Sequence, residues 1–308
     1  MLLQFLPDTV RVISQTGQKA PLALLPPSSL EAGITLPATL EASPTTETKS
    51  PIHAEVGRYR LRLAQSVEDR EAACRLRFRV FNIELGEGLE TSYATGLDTD
   101  HFDVFCEHLL VEDKADGRVV GTYRMQSGTT AQSNLGYYSE QEFSFAPYEP
   151  LRRDILELGR ASIDREHRTP EVLTLLWRGI AQYANNMGLR YLIGCSSLNS
   201  KDPKEGWDLY CQLENYRVSP EYETVPTENY VCPSEQENEE TQPSFSEGNA
   251  TSPTKVPKLL KTYLAIGARI CAPPAWDREF GTIDFLTLLD LKLLSSAARN
   301  RFLAPLSQ

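Results

Sequence analysis

The sequence predicts a mixed α/β fold of the α+β type, in which one central sheet is flanked by helices in three layers. Short apolar runs alternate along the chain with segments whose apolar residues recur every three or four positions. An Asp-Gly turn at 116–117 joins two of these runs, which indicates antiparallel neighbours. Farther on, a strand, a helix and a strand follow in succession, which is typical of a parallel pair with a crossover.

The first half of the chain supplies the antiparallel elements. Residues 59–64 alternate apolar and basic side chains as a half-buried strand does, and a helix is predicted over 67–81. The runs at 108–112 and 118–125 are apolar and rich in β-branched residues, so we expect them to form a hairpin.

The second half is expected to be parallel. A strand over 155–163 precedes an amphipathic helix whose apolar positions run from Val172 to Met187, and Tyr191–Cys195 reads as a short buried strand. The remaining predicted elements are a helix at 207–215, a helix at 256–268 with Pro257 near its start, and a closing strand at 282–289.

Two segments have no periodicity. Residues 1–55, rich in Pro, Ser, Thr and Ala from Gln15 onward, are predicted to form a disordered linker. Residues 233–254, which contain six acidic or amide side chains over 235–240, are predicted to form a disordered acidic insertion. Residues 56–305 are then expected to form one domain around this insertion.

Composition excludes several classes of function. The 308 residues are 41% hydrophobic, enough for a substantial core, and the formal net charge of -11 argues against a general nucleic-acid binder. No apolar stretch approaches the roughly 18 residues of a membrane span, and Met1–Val10 lacks the features of a secretory signal. We therefore expect a cytoplasmic protein, with any membrane contact peripheral and at the inner face.

The cysteines and histidines predict no metal site. The six cysteines are scattered without a CxxC pair, and the four histidines lack zinc-ligand spacing. Free thiols in a reducing cytosol are expected. Cys195 follows a strand, but burial as a small apolar residue explains it better than a nucleophile does.

Three polar segments interrupt strand-like sequence, at 98–103, 121–124 and 156–160. Charged residues are disfavoured in strands and costly to bury, so they need a reason, and a polar cleft supplies one. These segments predict a site for a charged small molecule.

Glu157 and Arg160 would point to opposite faces of a regular strand, because they are three residues apart. A bulge at Gly159 would bring them to one face and free a backbone N–H that could hold the oxyanion of a thioester. A structural ion pair between Glu157 and a strand arginine explains the same residues equally well.

The aspartates and the other arginines allow two interpretations. Asp98, Asp100 and Asp103 precede a strand, where turn formation explains at least one of them and an ammonium site explains the others. Arg124 within a strand needs a carboxylate or an anionic ligand. Arg77 flanks Phe78 on a helix packed on the sheet, so it is the helix arginine that solvation explains least well.

Six blocks occur in one order along residues 98–197 and extend to PPAWD at 273–277. They are FD at 102–103 with CEHLLV at 106–111, VGTYR at 120–124, YSEQEF at 138–143, LELGR at 156–160, LLWRGI at 175–180 and IGCSS at 193–197. This order resembles the ornithine-acyl-carrier-protein N-acyltransferases of the GNAT superfamily. It is also similar to the N-acyl amino acid synthases, and the resemblance implies a relation to the acyl-homoserine-lactone synthases.

The resemblance implies a GNAT-like fold and an N-acyltransferase of ornithine-lipid biosynthesis. The enzyme would move a long-chain 3-hydroxyacyl group from acyl-carrier protein to the amine of ornithine or a related amino acid. The donor would be the acyl-phosphopantetheine thioester, with no bound cofactor. The alternatives are a signal synthase that makes N-acyl amino acids or acyl-homoserine lactones, and a non-catalytic binding module.

The resemblance also implies roles for individual residues. Glu157, which matches the glutamate of the family's Glu-x-x-Arg pattern, is the candidate general base, and Asp100 and Asp103 would bind or orient the amine as part of the catalytic set. Arg77, Arg124 and Arg160 are expected to bind substrate or shape the site.

The family's usual loop for coenzyme A pyrophosphate contains glycines, whereas residues 167–172 here read HRTPEV. The close backbone approach that glycine permits is therefore absent, which favours a carrier-bound donor over free acetyl-CoA. Arg165, Arg168 and Arg178, with His167, would form a basic patch for an acidic carrier, although ordinary solvated charge explains them as well.

Overall fold

A computed structural model describes residues 52–234 and 254–302. Most of the predicted linker and residues 235–253 of the predicted insertion lie outside the described residues. The boundary predicted at residue 56 is wrong, because a strand already begins at His53 and pairs with the strand that starts at Tyr59.

One sheet organises the described residues. Its order is β1-β2-β3-β4-β5-β6-β9-β7, and β8 also pairs with β9. The strands are β1 His53–Val56, β2 Tyr59–Leu63, β3 Glu107–Asp113, β4 Val119–Ser127, β5 Ile155–Ile163, β6 Tyr191–Leu198, β7 Arg269–Ile270, β8 Ala275–Asp277 and β9 Thr282–Asp290.

The predicted mixed sheet is confirmed, and so is the parallel pair predicted from the crossover, β5 with β6, but the rest of the predicted parallel half is wrong. Only β5 and β6 are parallel among the described pairs, and β9 returns antiparallel to β6. β9 enters the sheet from the end opposite to the start of β6. The periodicity within a strand predicts which side chains are buried but not the direction in which the strand runs.

Helices cover both faces of the sheet. They are α1 Val67–Phe78, α2 Gly128–Ser133, α3 Pro170–Asn186, α4 Pro203–Gln212, α5 Lys258–Ile266 and α6 Ser296–Phe302. Ser66 caps α1 and Thr169 caps α3, where Pro170 takes the first helical position. The helix predicted to Phe81 changes at Arg79 into a π-helical segment that runs to Leu85.

The two faces of the sheet differ in polarity. The apolar face packs Leu61, Leu109 and Tyr123 against Leu176 and Ile180 of α3. The other face contacts α1 through Leu110, but it also carries the polar side chains of β4, β5 and β9. These polar groups become the walls of the site.

The centre of the sheet is irregular in two ways. Arg124 lies opposite Gly159, whereas Thr122 lies opposite Ser162, so β5 carries one extra residue there. The predicted bulge is confirmed one residue later than expected, with Arg160 at a φ of 52°, in the left-handed region. The ladder between β5 and β6 also ends early, at Glu157 and Ile193.

Gly194 permits the close contact at the point where β5 and β6 separate. A Cβ added there would lie 2.2 Å from the carbonyl oxygen of Leu158. Across the gap, an added Cβ at Gly159 would meet no atom within 4 Å.

We predict that Gly194→Ala lowers the free energy of unfolding by about 1–3 kcal/mol, since the strands must move apart to admit the methyl group. Gly159→Ala is the matched control and is expected to have little effect. Urea denaturation of both variants checks this. Equal stability of the two variants would contradict the close contact at Gly194.

Candidate active site

A cavity of about 850 Å³ occupies the gap between β5 and β6. Its lining includes Arg124 and Glu157 from the polar face and Tyr123, Leu173 and Leu259 from the side of α3 and α5. The cavity therefore connects both faces of the sheet. It has room for a long flexible ligand that contacts both the apolar lining beside α3 and the polar groups.

Glu157 is 5% exposed and lies on the wall of this cavity. Its carboxylate accepts hydrogen bonds from the Tyr138 N–H (2.9 Å), the Ser139 N–H (2.7 Å) and the Ser139 hydroxyl (2.6 Å). Burial raises the pKa of Glu157, while these three donors oppose the rise. No ion pair to Glu157 occurs among the described residues, so the ion-pair interpretation is wrong.

Arg77 is fully buried and does not line the cavity. Its guanidinium donates to Asp98 Oδ1 (2.6 and 2.9 Å), to the Asp98 carbonyl oxygen (2.6 Å) and to both oxygens of Asp103 (2.7 and 2.9 Å). The prediction that Arg77 binds substrate is therefore wrong. Arg77 instead fixes the segment that carries the aspartates onto α1.

Asp100 and Asp103 lie behind the cavity wall, bonded to arginines. Asp100 accepts from Arg124 Nη1 (2.6 and 2.7 Å) and Arg160 Nη2 (2.9 Å), and Asp103 accepts from Arg77 and, at 3.3 Å, from Arg124. Burial alone would raise the pKa of Asp100, but Arg124 and Arg160 lower it to about 2. The expectation that this pair binds the amine directly is corrected, because both carboxylates already neutralise arginines.

Arg124 and Arg160 lie side by side on the cavity wall, as expected for substrate-binding groups. Both guanidinium groups stack near the Tyr138 ring, at 5.3 and 5.1 Å from its centroid, and Arg160 also lies 4.5 Å from the centroid of Phe280. These contacts and Asp100 fix both groups in orientations from which they can bind an anion.

The predicted carrier patch is only partly assembled. Arg168 is exposed at the cavity wall, where it donates to Glu84 (2.5 and 2.7 Å), and Arg165 is exposed nearby in sequence. Arg178 is half-buried in a separate groove with Val56. His167 is buried with its Nδ1 3.2 Å from the Tyr59 hydroxyl oxygen, so its expected place in the patch is wrong.

A second group of acids was missed by the sequence reasoning. Glu87, Asp277 and Asp284 line the cavity, and Glu142 lies buried beside Asp284 and Cys195. Asp284 could have been found by the argument used for Arg124, since it stands inside the apolar run TIDFLTLL. Burial raises the pKa of the Cys195 thiol well above its usual value, which agrees with its assignment as an unreactive residue.

The split sheet and the cavity through it fit an acyltransferase of the GNAT class, and comparison with known proteins shows this class. A family model described as "Acetyltransferase (GNAT) domain" matches residues 76–178. Among curated relatives, the L-ornithine N(alpha)-acyltransferase of Brucella abortus is 32% identical over 82% of this chain and 93% of its own length. The one from Agrobacterium fabrum is 29% identical, over 82% and 88%.

The chain belongs to the L-ornithine N(alpha)-acyltransferase family. Similar solved structures include the AHL synthase LasI. It is 11% identical with a TM-score of 0.46, and the match covers 81% of this chain and 98% of that one. The N-acyl amino acid synthase FeeM from uncultured soil microbes has 12% identity, a TM-score of 0.45, and coverage of 80% and 97%. Within the described ranges, no helix has the length and apolarity to cross a membrane.

We predict that Arg77→Leu destabilises the protein by about 3–5 kcal/mol, because it leaves Asp98 and Asp103 buried without their main cation. Arg75→Leu is the matched control, since Arg75 is exposed on the same helix, and its effect should stay within about 0.5 kcal/mol. Chemical denaturation of both variants measures the difference. An Arg77→Leu protein as stable as the Arg75→Leu protein would refute the supporting role.

Proposed function

We propose that this enzyme transfers a long-chain 3-hydroxyacyl group from the phosphopantetheine arm of acyl-carrier protein to the α-amine of ornithine. The observation that carries the proposal is the cavity through the split sheet, with Glu157 and two arginines on one wall. The names of the curated relatives supply the acceptor and the position of acylation.

The donor is assigned to the gap between β5 and β6. Both strands have lost their shared ladder there, so backbone groups of β5 beyond Glu157 are available to a thioester carbonyl. Apolar side chains of Leu173, Leu259 and Leu260 line the side toward α3 and α5 and suit an alkyl chain. Arg168, with Arg165, provides positive charge for an acidic carrier.

The acceptor is assigned to the polar wall. A free amino acid carries one carboxylate, and Arg124 and Arg160 are the cations on that wall, held by Asp100 on the side away from the cavity. A carboxylate bound there directs the α-amine toward the carboxylate of Glu157. Asp100 and Asp103 then act on the substrate only through the arginines.

The chemistry needs little beyond positioning and proton transfer. Glu157 takes one proton from the ammonium group, and the free amine nitrogen attacks the thioester carbon. As the carbonyl re-forms, the C–S bond breaks, the new C–N bond remains and the second amine proton goes to the departing thiolate. Glu157 returns its proton to solvent, so the net products are the amide, the thiol and one proton.

Incubation of the purified protein with ornithine and either 3-hydroxyacyl-carrier protein or the corresponding acyl-CoA tests the donor, with mass spectrometry of the product. We expect Nα-acylornithine with the carrier donor and much less with the CoA ester. Equal rates with both donors would refute the carrier assignment. An acyl-homoserine lactone as product would support the signal-synthase alternative, and no product from any amino acid would support a binding module.

We predict that Glu157→Gln lowers kcat/KM for ornithine by about 10²–10⁴-fold, because the glutamine cannot accept a proton. The active form of Glu157 is the carboxylate and its pKa is raised, so wild-type kcat/KM should fall as pH drops through that raised value. The variant should lose the part of this fall that comes from protonation of Glu157, the acidic limb of the pH profile. It should keep the pH dependence that comes from protonation of the substrate amine. Full turnover by the variant, or an unchanged acidic limb, would rule out Glu157 as the base.

A further inference from the structure

The acidic group opposite the arginines is not used by the chemistry above. Glu142, Asp277 and Asp284 are 0%, 3% and 4% exposed, and Glu87 is 9% exposed. Glu142, Cys195 and Asp284 each place a ligand atom within 4.8 Å of the others. Asp277, Asp284 and Cys195 line the same cavity as Glu157.

The two ends of the site differ in charge balance. At one end, Asp98, Asp100 and Asp103 are neutralised by Arg77, Arg124 and Arg160. At the other end, no ion pair joins the four acids to a lysine or arginine of the described residues. Buried carboxyl groups without a cation are costly, so this end is complementary to a positively charged ligand.

Glu142 gives an independent indication of a ligand. It is fully buried, and its carboxylate oxygens have no conventional hydrogen-bond donor among the described residues; the groups beside them are the Asp284 carboxyl and the Cys195 thiol rather than a cation. Buried polar atoms are nearly always paired in proteins, and an unpaired one calls for an explanation. The Asp284 carboxyl beside it lines the cavity, so a bound donor can pair with Asp284 and neutralise charge next to Glu142.

The protonation of the group agrees with a missing cation. Burial and the neighbouring acids raise the pKa of Asp284 to about 6 and that of Glu87 to about 7, and the pKa of Glu142 lies well above its usual range. An arriving cation would lower all three values.

A short chain of contacts also links the acidic group to the base. The Ser139 hydroxyl that donates to Glu157 (2.6 Å) also interacts with Cys195, which adjoins Glu142 and Asp284. One serine and one cysteine therefore separate the base from the acids. An extended side chain of three methylene groups places its ammonium about 6 Å from the α-nitrogen, so an acceptor whose α-amine lies at Glu157 can extend its second amine toward the acids.

We propose that Asp284 and Asp277, which line the cavity, bind the side-chain ammonium of a diamino acid acceptor, and that Glu142 supports Asp284 from its buried position beside it. The inference rests on the proposed function and adds to it the feature that selects ornithine over uncharged amino acids. Three fixed contacts then orient the acceptor: its carboxylate at the arginines, its α-amine at Glu157 and its second amine at the acids.

The test compares ornithine with norvaline, which has the same carbon skeleton without the second amine. In the wild type we expect kcat/KM to favour ornithine by at least about 10²-fold, since norvaline leaves the buried acids unpaired. Asp284→Asn and Glu142→Gln should each reduce this preference about 10-fold or more, mainly by lowering kcat/KM for ornithine. Asp208→Asn, in an exposed ion pair with Lys204, is the matched control and should leave the preference unchanged.

A binding measurement without a donor separates this inference from the proposed function. Ornithine should raise the melting temperature of the wild type more than norvaline does, and this difference should disappear in Asp284→Asn and Glu142→Gln. Equal protection by both amino acids in the wild type, or variants that keep the full difference, would overturn the inference even if acyl transfer occurs. Conversely, retained discrimination with no acyl product would refute only the proposed function.

Two alternatives to an ammonium site lead to different expected results. If the acids held a divalent cation, a chelator would abolish the discrimination and an added metal would restore it, which would overturn the ammonium site. If Glu142 and Asp284 only shared a proton with each other, both variants would change stability but not the ratio of kcat/KM values, which would also overturn it.

Discussion

The hydrogen-bonded ladder between β5 and β6 ends at Glu157 and Ile193, and the site depends on this early ending. Where the ladder stops, the interior of the sheet becomes a cavity wall, and Glu157 is the last paired residue before it. The bulge in β5 on the opposite side turns Arg160 into the same cavity. A regular strand would hold this acid and this guanidinium group on opposite faces. The two local irregularities bring them into the same cavity.

The distribution of charge explains how such a polar centre remains stable in a folded protein. Around Arg77 the aspartates and arginines balance each other, so that end is rigid and presents two oriented guanidinium groups to the cavity. Around Asp284 the acids form no ion pair within the described part of the chain, and burial raises the pKa values of Glu87, Glu142 and Asp284. The contrast agrees with the proposed ammonium site, in which the first end is a complete structural unit and the second is completed by its ligand.

The sequence predicted most of the fold because its signals are local. Alternation in β2, the Asp-Gly turn after β3 and the period of α3 each identify an element from adjacent residues, and Gly159 indicated the bulge. The direction of β9 and the π-helical segment after α1 were not predicted, because they depend on packing between distant segments. At the site, residue type identified Glu157, Arg124 and Arg160, which line the cavity. The supporting role of Arg77, Asp100 and Asp103 behind the cavity wall follows only from their contacts in the folded protein.

The most direct test of the account is a crystal structure of the protein with ornithine and a non-transferable acyl-phosphopantetheine analogue. We expect the pantetheine arm between β5 and β6, the carboxylate of ornithine at Arg124 and Arg160, and its α-nitrogen within hydrogen-bond reach of Glu157. The reacting carbon of the analogue should lie about 3–3.5 Å from that nitrogen. An acyl arm that stays outside the gap, or an α-nitrogen bound away from Glu157, would contradict transfer at the split in the sheet.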